Sequence, residues 1–148
     1  MINRDTQSPE LTDAILQRLP LFPLPNAVLF PGVVMPLHLF EPRYRALAEY
    51  CVNGPRLVAL GTLQPGFESQ YEDRPPIHPI LTVGAIAGER RLPDGRWDIA
   101  LRGIARIELV DELPHEALVA LLIGRHAVVQ RLGQLRDRHA REAARTRE

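Results

Sequence analysis

The 148-residue chain has the length of one domain, and its 45% hydrophobic and 24% charged residues are ordinary for a globular protein. Its formal net charge is zero, which argues against nucleic acid as the main partner, and all 18 basic residues are arginine. The missing lysine excludes a P-loop phosphate ligand, a Ser–Lys dyad and a Schiff base.

No apolar run reaches the roughly 18 residues of a membrane span. No secretory signal is visible at the start of the chain, and the single cysteine, Cys51, has no internal partner. The expected location is cytoplasmic, with one small core and no membrane contact.

Residues 1–18 read as a polar extension. Ser8 as N-cap, Pro9 and Glu10 in the first turn, and Leu11, Ile15 and Leu19 at spacing four predict a short helix over 9–18. Six prolines, Pro20 to Pro42, then interrupt an apolar stretch that must still be buried. Short strands at 27–30 and 33–39 meet both demands, with Pro36 favouring an edge or bulge.

Pro42 opens a helix in which Tyr44, Leu47, Ala48 and Cys51 share one face, closed by a glycine cap at Gly54. A buried strand follows over 57–62. Residues 64–79, with four prolines and no period, form a long loop.

Pro93-Asp94-Gly95 between two strand-like runs predicts a hairpin, with Trp97, Ile99 and Leu101 on its buried face. Gly103 marks a bulge or bend. Strands are expected over 104–110 and 117–123. A basic helical segment is expected from about residue 124, with Val128, Val129, Leu132 and Leu135 at helical spacing. It carries seven arginines against Asp137, Glu142 and Glu148. Runs of short strands without βαβ alternation place the fold among barrels or packed sheets.

The motif LPLFPLPNAVLFPGVVMPLHLFEPRYRAL, and PPIHPI followed by AGERRLPDGRWDIALRGIARIEL, resemble the N-terminal domain of Lon proteases over residues 19–123. The resemblance implies a mainly β (α+β), PUA-like pseudo-barrel of about six short strands. One internal helix packs at its side, with short helices at the termini. It also implies a non-catalytic module like the stand-alone bacterial forms named after peptidase S16. Two departures stand out: Ile80-Leu81 occupy a place where relatives often carry glycine, and the C-terminal arm is short.

Chemistry is sparse. Cys51 on an apolar helix face reads as a small core residue, not a nucleophile with His38. The five histidines lack metal-ligand spacing, so neither metal nor cofactor is expected. The motif residues His38, Phe40, Glu41, Arg43, Tyr44, Asp94 and Gly95 read as structural. Glu41 would favour a helix N-terminus and Arg43 would pair with a carboxylate.

Phe67, Tyr71 and Ile77 on or beside the 64–79 loop are the candidate peptide contacts. Phe67 and Tyr71 read equally well as aromatics folded over a barrel end. The reading is thus a non-enzymatic binder of unfolded or extended polypeptide, a quality-control adaptor with a protease or chaperone as partner. The alternative is a PUA-like RNA binder using the basic C-terminal arginines. A protease label would reflect only the name of a relative.

Overall fold

The computed structural model describes residues 9–67, 75–113 and 125–131. Its elements run α1 (Asp13–Leu16), β1 (Leu19–Leu24), β2 (Val34–Leu39), α2 (Pro42–Val52), β3 (Leu57–Thr62), β4 (Ile80–Arg91), β5 (Trp97–Glu112) and β6 (His126–Arg131). The strands form one sheet in the order β2-β5-β4-β3-β1-β6, and a further β5–β6 pairing closes the last five into a ring. The expected mainly β pseudo-barrel, with α2 packed at its side, is present. β2 lies outside the ring and, among the described residues, is bonded only to β5.

The prolines mark where ladders stop. In β1, Leu21 donates its N–H to Arg125 of the β6 side, while Leu24 accepts from Leu63 on the β3 side. Odd positions of β1 therefore face β6 and even positions face β3. Pro20 precedes the start of the β3 ladder at Leu21, and Pro23 follows the end of the β6 contact, so neither missing N–H breaks a bond. In β2, Val33 accepts from Gly103, so odd positions face β5 and the nitrogen of Pro36 points off the open edge. The edge position expected for Pro36 holds.

Two apolar clusters replace the single core expected. Leu19, Leu21, Leu57, Ala59, Leu81, Val83, Ile107, Ala127 and Val129 fill the ring. Phe22, Val58, Leu60, Ile86, Ile99 and Leu101 point the other way, under Tyr44, Leu47, Ala48 and Cys51 of α2. Burial on both faces is why β1 and β3 read as unbroken apolar runs. β5 serves both clusters by changing face. Gly84 opposes Gly103 while Val83 opposes Ala105, so Ile104 is an extra residue. Trp97, Ile99 and Leu101 before that bulge face α2, and Ile107 after it faces the ring. Gly103 is required there, since a methyl group would overlap the carbonyl of Phe30.

Four expectations are corrected. α1 is only four residues long, and its cap is Thr12, whose hydroxyl accepts from the Ile15 N–H. Residues 27–30 form no strand. Their carbonyls are instead taken by threonine hydroxyls, Thr62 to Ala27 at 2.5 Å and Thr82 to Leu29 at 2.6 Å. Beyond α2 the left-handed residue is Arg56 (φ 59°), not Gly54. That turn lets the Arg56 N–H reach the Cys51 carbonyl, while its guanidinium forks onto Glu89 at 2.7 and 3.0 Å. Residues 126–131 are strand, not helix, because pairing with both β1 and β5 outweighs a weak helical period. The strand expected at 117–123 and everything beyond 131 lie outside the described residues.

Candidate functional site

The Glu41–Tyr44 motif makes its contacts within the fold. Glu41 stands at the N-cap of α2 but makes no side-chain cap; its carboxylate takes both Nε and Nη2 of Arg43, at 3.2 and 3.1 Å. Arg43 also lies 5.0 Å over the Tyr44 ring. Tyr44 is buried edge-on against Phe22, with ring centroids 4.5 Å apart. A second clamp, missed in the sequence, comes from Arg45. Its Nε and Nη2 donate to the carbonyls of Gly95 and Asp94 at 3.0 and 3.1 Å, tying α2 to the hairpin tip. Gly95 has φ 89° and a Cβ there would strike Arg45, so glycine is needed for both turn and clamp. The backbone N–H of Arg96 and then its side chain hold the Asp94 carboxyl below its usual range.

His38, Asp98 and Arg90 form a row across three strands. His38 Nδ1 and Arg90 Nη2 each lie 2.7 Å from a different Asp98 oxygen. The His38–Asp98 pair opposes across β2 and β5 at a position without ladder bonds, where side chains approach most closely. His38 first and Arg90 second lower the Asp98 pKa. Phe40 is 59% exposed and stacks over His38, 6.3 Å between centroids. The row borders an open groove of about 460 Å³ lined also by Pro36, Gly88 and Ala100.

The exposed large apolar side chains are not scattered. Among the described residues there are seven, and five of them, Val28, Phe30, Val33, Val34 and Phe40, lie in one segment along β2 and its approach loop. Arg106 covers the Phe30 ring at 5.1 Å. Arg102 sits beside Val34 and Ala85 on its neighbouring strands and has no ion-pair or hydrogen-bonding partner among the described residues. Sequence reasoning missed this surface because 27–30 reads as a buried strand.

Of the three loop candidates, two lie among the described residues. Ile77 is buried in the ring core beside Leu63, with which it forms a bridge. This corrects its assignment as a contact residue: its side chain is held inside the barrel. Phe67 is half-buried, and Tyr71 lies outside the described residues. Two arginines of the basic segment are committed internally. Arg125 is buried, bidentate to Glu112 at 2.6 and 2.8 Å and bonded to the Pro75 carbonyl at 3.0 Å. Arg131 donates to the Leu11 carbonyl. Cys51 is buried, with burial pushing its thiol up to about 12. No cluster of three potential metal ligands exists among the described residues, and no helix there is long and apolar enough to cross a membrane.

Residues 18–144 match the family model for the ATP-dependent protease La (LON) substrate-binding domain. The chain is 31% identical over 96 residues to a Lon protease of Desulfosudis oleivorans, covering 65% of this chain and 12% of that protein. It is 34% identical over 98 residues to a Lon protease of Flavobacterium johnsoniae, covering 66% and 12%. The chain thus spans about an eighth of the length of these curated relatives. A Lon N-terminal domain protein from Xanthomonas campestris superposes with a TM-score of 0.57 at 24% identity, over 76% of this chain and 58% of that one. The N-terminal domain of a Mycobacterium avium complex Lon protease gives 0.55 at 16% identity, over 78% and 54%.

Proposed function

This chain belongs to the Lon substrate-binding domain family, and on that premise we propose that it is a non-catalytic binder of unfolded or extended polypeptide. The observation that carries the reading is the run of exposed apolar side chains from Val28 to Phe40 along a strand with one edge unpaired among the described residues. A patch of that kind marks an interaction surface. Phe67 and Tyr71 of the 64–79 loop are the secondary contacts of the proposal. Ile77 supports them only through packing. The module works as an adaptor in protein quality control, presenting bound chains to a protease or chaperone.

The test is binding of fluorescent, reduced and carboxymethylated α-lactalbumin, a permanently unfolded protein, against native α-lactalbumin as control. Phe30→Ser with Val33→Ser is expected to weaken capture about tenfold, since two apolar side chains lose roughly 1.4 kcal/mol or more of burial. Phe67→Ala with Tyr71→Ala is expected to weaken it less. Equal affinity for native and unfolded probe would overturn the reading.

A further inference from the structure

Resting on that reading, we propose that the polypeptide binds by adding a strand to the open edge of β2, and that a carboxylate on it is met by Arg102. β2 ends the sheet order, and among the described residues no strand pairs with its outer side. Its odd positions bond β5, so the backbone groups of Val34, Pro36 and His38 face outward. The strand is thus half of an unfinished antiparallel or parallel ladder.

Side-chain chemistry sets what fits. On one face of β2 the exposed residues are Val34, Pro36 and His38. Val33 and Phe30 lie at its start and Phe40 at its end. Arg102 is the next residue inward from Val34 on that face, flanked by uncharged Val34 and Ala85. An added strand would lie about 10 Å from Arg102, two strand spacings away, within reach of two long side chains meeting over Val34. The acid on that face, Asp98, is already taken by His38 and Arg90. The charge complement of this edge is therefore an acidic residue set among alternating apolar ones.

Pro36 decides between a foreign strand and a second copy. A foreign strand loses one bond to Pro36, which has no N–H. A two-fold pairing of β2 with itself includes Pro36 twice and loses two donors within a six-residue strand. The edge is open to a partner and biased against its own copy.

The probe is the peptide fluoresceinyl-Gly-Thr-Val-Thr-Val-Glu-Val-Thr-amide, labelled through its N-terminal amine, its Lys-for-Glu version, and a version N-methylated at alternate residues so that it cannot complete a ladder. Binding is read by anisotropy, and amide exchange of Val34 and His38 by NMR. The account expects protection of both amides, about tenfold or greater loss on N-methylation, and a reversal of the Glu-over-Lys preference in Arg102→Glu. Unchanged affinity on N-methylation, or no amide protection, overturns the strand-addition inference. If carboxymethylated α-lactalbumin still binds in that case, the broader reading survives. Concentration-dependent dimerisation that protects the same amides without peptide would show a second copy as the occupant and also overturn it.

Discussion

The ring and the wing of this molecule are built from the same strands yet end differently. In the ring, β1, β3, β4, β6 and the second half of β5 each have two neighbours, and the side chains between them are nearly all enclosed. Among the described residues of the wing, β2 and the hairpin arms of β4 and β5 are covered by α2 on one face and open on the other, and β2 has one free edge. The difference teaches where function can reside. A closed ladder has no bond left to offer, whereas the wing leaves both backbone groups and apolar side chains available.

Core truncation should separate the two regions most sharply. Ile107→Ala in the ring is expected to cost about 3 kcal/mol in urea unfolding, since the fully buried side chain leaves a cavity. Val34→Ala in the wing, where the side chain is 53% exposed, should stay within about 0.5 kcal/mol. A large cost at Val34 would mean that the wing is also a closed, packed unit.

Breaking Arg125 comes next. Its side chain is 9% exposed and paired with Glu112. Arg125→Ala removes both bonds to that carboxylate and the bond to the Pro75 carbonyl, and should destabilise by about 3 kcal/mol. Glu112→Gln should cost less, because the amide still accepts one bond.

Acid should loosen the wing first. The carboxyl groups of Asp98, Asp94 and Glu89 are all held below their ordinary values, by His38 and Arg90, by Arg96, and by Arg56. A lowered carboxylate stabilises the fold above its unfolded value, about 4, and that contribution fades as pH falls through the lower folded value. Amide exchange across β2 and the 92–96 turn should therefore quicken below about pH 4 before the ring responds, and Asp98→Asn should flatten the profile. The smallest effect is chemical: with its thiol raised to about 12 and buried, Cys51 should resist alkylation at pH 8 until the protein is unfolded.

Much of the ring and of α2 was legible in the chain. The β3 limits, the helix from Pro42 with its Tyr44–Cys51 face, the Asp94-Gly95 turn and the Gly103 bulge follow from local rules of period, proline and glycine. What failed was non-local. Whether Val128 and Val129 belong to a helix or a strand depends on β1 and β5, over a hundred and about twenty residues away respectively. Two threonine hydroxyls turn residues 27–30 from strand to bound loop, and nothing within that segment announces them. The exposed surface was missed for the same reason, since an apolar run is read as buried until its partners are known. Ile77 was misread as a contact because the bridge to Leu63 fixes it inside the ring.

The most direct test is hydrogen exchange of the whole chain with and without carboxymethylated α-lactalbumin. The account predicts slowed exchange concentrated in residues 27–40, strongest at the Val34 and His38 amides. Slowed exchange confined to 64–79, or none in 27–40 despite saturated binding, would contradict it.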